Sequence, residues 1–178
     1  MTKLDIKCLS SSPACLAALC DLLVEAVASG ASVSFMHPLA TEAAEAFWNK
    51  SFAASERGER VILGAYYGDE LVGTASLVLD FPVNQPHRAE IAKVMTKLAY
   101  RGHGIATALL RKVEMLAAER GRTLIVLDTA AEDGAAPFYE KLGYTRLGEI
   151  PDYGLKPHGG LTGTILFWKR IASEAGAA

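Results

Sequence analysis

The chain has 178 residues, read as a single unit over residues 1–178 that is long enough to bury roughly two thirds of its unfolded surface. Hydrophobic residues at 51% and charged residues at 21% exclude a disordered chain. A formal charge of −2 excludes general attraction to nucleic acid and leaves room only for a local basic site.

Residues 3–9, K-L-D-I-K-C-L, alternate Leu4, Ile6 and Cys8 against Lys3, Asp5 and Lys7, the pattern of a half-buried first strand. Residues 10–13 supply an N-cap serine and a first-turn proline for a helix reaching about Val27, closed by Ser29-Gly30. Leu16, Leu19, Leu23 and Val27 share one side of it. Asp21 and Glu25 interrupt the apolar run 14–27, which is too short for a bilayer, so neither a secretion signal nor membrane association is expected. Cys8, Cys15 and Cys20 are odd in number and have no metal-ligand spacing to one another or to His37, His87, His103 or His158. Buried thiols in a reducing cytoplasm are the expectation, and no metal.

An irregular stretch, 31–39, brings Phe35 and Met36 to a second helix over roughly 41–56, whose start is signalled by Thr41 with Glu42 and Glu45. Those two side chains either line a pocket or pack on the core. Residues 61–67 and 71–79, separated by Gly68-Asp69-Glu70, predict a β-hairpin. A loop with two prolines, 80–88, leads to a fourth strand starting near Ala89. After a glycine turn comes a helix ending near Arg120, with Gly121 behind it. Residues 123–128, T-L-I-V-L-D, are nearly all apolar and predict a central parallel strand buried on both faces. A helix over 132–142 stopped by Gly143, a strand over 144–149, a Gly/Pro-rich loop over 151–161, a strand over 162–170 and a frayed tail over 171–178 complete the order.

The turn itself, Y-R-G-H-G-I-A-T at residues 100–107, joins a strand to a helix start. A helix N-terminus has unpaired N–H groups and a partial positive charge, so it suits a phosphate. Gly102 and Gly104 let the backbone approach an anion, and Arg101 adds a forked cation. A P-loop would need Lys-Ser or Lys-Thr after its last glycine, and none is present. The dinucleotide fingerprint would need a third small residue where Thr107 stands, and about seventy further residues are too few for its doubly wound domain.

Position for position, R-G-H-G-I-A resembles the R/Q-x-x-G-x-G/A signature of the GNAT superfamily of N-acetyltransferases. A second segment, A-A-P-F-Y-E-K-L-G-Y at 135–144, is similar to the family's A-x-x-F-Y-x-x-x-G-F/Y, and the element order resembles the family's over essentially the whole chain. The resemblance implies an α/β (α+β) GNAT fold: a mixed, mostly antiparallel sheet of about seven strands, a central parallel pair of strands four and five, and four helices on both faces. It also implies acetyl-CoA as acyl donor, its diphosphate held at Arg101, Gly102, His103, Gly104, Ile105, Ala106 and Thr107. Backbone groups of Val94 and Met95 would pair with that cofactor if strands four and five splay.

Within the family, A-S-V-S-F-M (31–36), R-A-E (88–90), L-D-T (127–129) and Y-T-R-L-G-E-I-P-D-Y (144–153) are most similar to the tabtoxin resistance branch. That likeness implies antibiotic resistance and a small amino-acid-like amine, attacking directly in a ternary complex, with Phe35, Met36, Glu90 and Asp128 near it. A homodimer is compatible with this reading. Where many members carry an asparagine after strand five, this chain has Glu132 and Asp133, which face an anionic cofactor less comfortably.

Acetyl transfer to an amine needs a neutral nucleophile and a proton for the leaving thiolate. Glu90, an acid in a strand, is a candidate base, or else a cross-strand partner for a cation. Asp128, near the end of strand five, either shares the amine with Glu90 or serves as a turn aspartate. Tyr139, beside the stripe of Ala135, Phe138 and Leu142, is the candidate acid, or a packing residue. His103 and Lys97 either add charge near the phosphates or stay solvated. A non-catalytic acetyl-CoA-binding module and a protein or polyamine acetyltransferase are the alternatives.

Overall fold

The computed structural model describes residues 3–172. They form β1 (Leu4–Cys8), α1 (Pro13–Ala28), α2 (Thr41–Glu56), β2 (Arg60–Tyr67), β3 (Glu70–Val78) and β4 (Arg88–Thr96). A 3-10 turn (Leu98–Tyr100), α3 (Ile105–Glu119), β5 (Leu124–Ala130), α4 (Ala136–Lys141), β6 (Thr145–Leu155) and β7 (Leu161–Arg170) follow. The strands make one seven-stranded sheet in the order β1-β2-β3-β4-β5-β7-β6. Its parallel neighbours are β4 and β5, and every other pairing is antiparallel. The mixed sheet with one central parallel pair and four helices is as the sequence implied.

Alternation along the strands sends successive side chains to opposite faces. One face gathers Val61, Leu63, Ala65, Ala89, Ile91, Ile125 and Leu127 under Ile105, Leu109 and Val113 of α3, with Tyr139 of α4. The other sets Ile62, Leu71 and Met95 against Leu19, Leu23 and Val27 of α1 and Trp48 and Phe52 of α2. Trp48 is fully buried, and its indole N–H donates to the Leu19 carbonyl at 3.1 Å, tying α2 to α1. On the first face, Lys169 of β7 donates to Glu114 of α3 at 2.8 Å and to the Leu142 carbonyl at 2.8 Å.

Several local expectations are corrected. β5 is buried on alternate residues rather than on both faces: Ile125, Leu127 and Ala130 are buried while Asp128 is exposed. The reason is that α1 and α2 cover β2, β3 and β4. By contrast α2 starts at Thr41 and ends at Glu56 as expected, with Ala40 as its N-cap and no side-chain cap bond. The helix expected over 132–142 shrinks to Ala136–Lys141, because Gly134 turns the chain at φ 70°. The loop expected over 151–161 is confined to 156–160, since β6 continues through an irregular register to Leu155 and β7 begins at Leu161. Of the three thiols only Cys20 is buried, Cys8 being exposed at the sheet edge. Ile171, placed in the tail, donates its amide to the Thr123 carbonyl at 3.0 Å, and residues 173–178 lie outside the described residues. No helix among the described residues is long and apolar enough to cross a membrane.

Gly73 of β3 sets how closely α3 seats on the sheet. A Cβ there would lie 2.9 Å from Ile105 Cγ2 and 3.0 Å from the Met95 carbonyl oxygen. Ile105 is the first residue of α3 and Met95 lies on β4, so this contact also fixes the spacing of the glycine turn from the strand. Gly73→Ala is expected to destabilise the protein by about 1–3 kcal/mol through overpacking. The urea unfolding midpoint measures this, and an unchanged midpoint would mean that α3 yields without cost.

Candidate active site

The site begins where two parallel strands part. β4 and β5 pair over three positions only, Arg88 with Leu124, Ala89 with Ile125 and Glu90 with Val126. Beyond Glu90, β4 continues to Thr96 against β3 alone, while β5 continues to Ala130 against β7. Within that free half of β4 the ladder to β3 jumps from Ala92 opposite Ser76 to Met95 opposite Thr74. Two residues, Lys93 and Val94, thus oppose one, which is a β-bulge. Lys93 takes φ 54°, a left-handed conformation unusual for a side chain of its length. The extra residue inverts the alternation, so Ile91 faces α3 whereas Met95 faces α1 and α2.

Two clefts open from this parting. The narrower, about 470 Å³, runs along Val94, Met95 and Thr96 to Arg101, Gly102, Gly104, Ile105, Ala106 and Thr107, with Phe138 opposite. The wider, about 770 Å³, holds Glu90, Lys93, Asp128, Asp133, Ser34, Phe35, Met36 and Tyr153 in its walls. Val94, Arg101 and Tyr139 line both, so the two branches join there.

At the narrow end Gly102 and Gly104 take φ 81° and 77°, and a Cβ on either would meet nothing within 4 Å. An open, glycine-lined turn at the start of a 15-residue helix fits a diphosphate: space, positive φ and unpaired N–H groups coincide. The side chain of His103 is turned away, its Nδ1 lying 3.1 Å from the Tyr100 carbonyl and 3.0 Å from that of Arg101. Lys97 pairs with Glu70 at 2.9 Å. Neither side chain lines the clefts.

In the wider branch, Glu90 and Asp128 stand on the two diverging strands. Burial, then the nearby Asp128, push the Glu90 carboxyl above its usual range, against the opposing pull of Arg88, Arg60 and Lys93. Asp128 accepts a hydrogen bond from buried Thr164 Oγ1 at 2.8 Å, which fixes its orientation. Thr164 was not singled out in the sequence, since only the β5–β7 pairing brings it alongside. Tyr139 is 7% exposed and packs its ring on Phe138, Tyr144 and Phe167. Burial and then Asp128 push its phenol up to about 12. Tyr139 therefore combines the packing role and the cleft position that the sequence held as alternatives.

Phe35 likewise does both. It stacks edge-on against Phe47 at 5.3 Å and lines the wider branch, whereas Met36 is 45% exposed at its mouth. The loop carrying them is tied down where His37 N–H donates to the Pro157 carbonyl at 2.9 Å. Glu132 and Asp133 do not press carboxylates on the narrow branch: Glu132 accepts from Lys156 at 2.7 Å and Asp133 accepts the Ser32 amide at 3.2 Å. Lys93 was missed altogether. Its signal was a lone lysine three residues beyond Glu90 in an apolar strand.

Comparison with known proteins places this geometry. Residues 24–144 match the model of the Acetyltransferase (GNAT) family. Human N-acetyltransferase 8B is 32% identical over 83 residues, covering 46% of this chain and 37% of that protein, so the chain spans well under half the length of this relative. Among solved structures, yncA of Salmonella typhimurium, determined with its cofactor acetyl-CoA, superposes with a TM-score of 0.78 at 19% identity over 98% of both chains. A ribosomal-protein-alanine N-acetyltransferase of Brucella melitensis gives 0.77 at 21% identity over 94% of this chain and 99% of that one. These structural likenesses carry the fold, and the family model, spanning well over half of the residues, carries descent: the chain belongs to the GNAT family of acetyltransferases.

Proposed function

We propose that this chain is an acetyl-CoA-dependent N-acetyltransferase whose acceptor is the primary amine of a small, amino-acid-like molecule, the class to which tabtoxinine-type antibiotics belong. The observation that carries this reading is the junction of the two clefts at Val94, Arg101 and Tyr139, between a glycine-lined anion turn and the carboxylates of Glu90 and Asp128. Bound acetyl-CoA would supply an activated acetyl thioester. Gly102, Gly104 and the first N–H groups of α3 hold its diphosphate, and Arg101 adds a cation at the lip. Val94, in the bulge and paired with neither neighbouring strand, offers backbone groups beside the pantetheine path.

In the wider branch Glu90 and Asp128 receive the acceptor ammonium. The raised Glu90 carboxylate takes its proton, leaving the neutral amine that attack requires. Tyr139, protonated at neutral pH, donates a hydrogen bond to the departing sulfur. A phenol near 12 is a weaker acid than a thiol near 8.5, so Tyr139 stabilises the thiolate without surrendering its proton for good. The Phe35 loop and Tyr153 bound the wider branch at about 770 Å³, a volume that supports a small acceptor over a protein one. Free thiols at Cys8, Cys15 and Cys20 support a reducing, cytoplasmic setting.

Release of free thiol from acetyl-CoA, measured against amino acids, polyamines and peptide N-termini, tests the reading. Turnover confined to peptides would overturn the small acceptor, and no turnover with any amine would favour a binding module. Glu90→Gln is expected to lower kcat/KM by about 10²–10⁴-fold. Because the active form of Glu90 is deprotonated and its pKa is raised, activity should climb with pH above the usual carboxylate range. Asp128→Asn removes a repelling charge and should move that rise to lower pH in the kcat/KM profile. Tyr139→Phe should cost about a hundredfold in kcat. Gly104→Ala places a Cβ at φ 77° in the cradle and should raise the KM for acetyl-CoA about tenfold with little change in that for the amine.

A further inference from the structure

Lys93 is the one lysine or arginine in the wall of the wider branch that does not also reach the narrow one. Its Nζ donates to Ser34 Oγ at 3.1 Å and lies over the rings of Phe35 and Phe47 at 5.8 and 5.6 Å. No ion pair within 4.0 Å engages it among the described residues, whereas Lys97, Lys156 and Lys169 are each paired with a glutamate. Burial and neighbouring Arg60 depress its pKa, while Asp128 and Glu90 pull the other way. An ammonium held by one hydroxyl and two ring faces keeps donors for an anion.

The backbone points the same way. Three non-glycine residues among those described have positive φ: Ser34 at 71°, Lys93 at 54° and Asp152 at 52°. The first two are hydrogen-bonded to each other, and the third precedes Tyr153 in the wall of the same cleft. Strained conformations persist where surrounding structure holds them and gather at ligand sites. Here they fix a cation on the bulge of β4, three residues beyond Glu90 and facing the branch that also holds Asp128.

We propose that Lys93, positioned by Ser34, receives a carboxylate of the acceptor, so that the site selects amines carrying an acid over plain amines and polyamines. This rests on the acetyl-transfer reading above. The complementarity is that of a zwitterion: the ammonium meets Glu90 and Asp128, and the carboxylate meets Lys93. A diamine brings a second ammonium against Lys93 instead, and like charges at a partly desolvated site are costly.

The test uses matched triplets with the full chain and acetyl-CoA: 2,4-diaminobutyrate, its carboxamide and 1,3-diaminopropane, and lysine, lysinamide and cadaverine. The unmodified protein is expected to prefer the acid by tenfold or more in kcat/KM. Lys93→Gln should cut that preference to about twofold, chiefly through KM of the acid, and Lys93→Arg should keep it. Ser34→Ala should weaken the preference without abolishing it, and it leaves the strained lysine in place should Lys93→Gln fail to fold. Equal use of acid, amide and amine by the unmodified protein, or a Lys93→Gln loss shared equally by all three, overturns the inference while acetyl transfer stands. Absence of thiol release with every member of both triplets overturns the small-amine reading and this inference with it.

Discussion

Two parallel strands that pair over three residues and then separate create the space in which everything else happens. A parallel pair normally continues its ladder, since leaving buried backbone groups unpaired is costly. β3 keeps bonding one edge of β4, the other edge borders the open cleft, and Lys93 and Val94 in the bulge pair with neither neighbouring strand. β5 is satisfied from the far side by β7 along its whole length. The gap is therefore a stable feature of the hydrogen-bond network, and a ligand with amides of its own can complete it.

Both faces of the sheet then serve that gap. α3 seats on one face through Ile105, Leu109 and Val113, which sets the glycine turn at the mouth of the narrow branch. α1 and α2 seat on the other, and the loop between them delivers Ser34, Phe35 and Met36 to the wider branch. The bulge links the two, because it carries Met95 into the second core and Lys93 into the cleft. Packing and chemistry share the same residues here, Tyr139 most plainly: its ring is core and its position is the junction.

Charges in the cleft are sorted by what they can reach. Glu132 and Asp133, which look unfavourable beside an anion, are engaged by Lys156 and by the Ser32 amide. Glu90 and Asp128 stand on the two diverging strands, and burial, followed by repulsion from Asp128, is what raises Glu90. Oriented by Thr164, Asp128 serves as the fixed member of the pair.

Local signals in the chain were enough for the element order, the hairpin at Gly68 and the glycine turn, because turn chemistry, apolar period and two short motifs are properties of neighbouring residues. They also singled out Glu90, Asp128 and Tyr139, which the fold brings to the wall of one cleft. While α4 is short because Gly134 turns the chain just ahead of it, the extent of β6 and the one-sided burial of β5 were not legible, since each is decided by a partner distant in sequence. The same holds for the site: Lys93 and Thr164 enter it through a bulge and a cross-strand register, and His103 leaves it because nearby carbonyls hold its ring. Sequence by itself determined which residue types and turns this protein carries. Only the tertiary structure decided which of them meet, because the parting of β4 from β5 is a property of the whole sheet's hydrogen bonding and of no single segment.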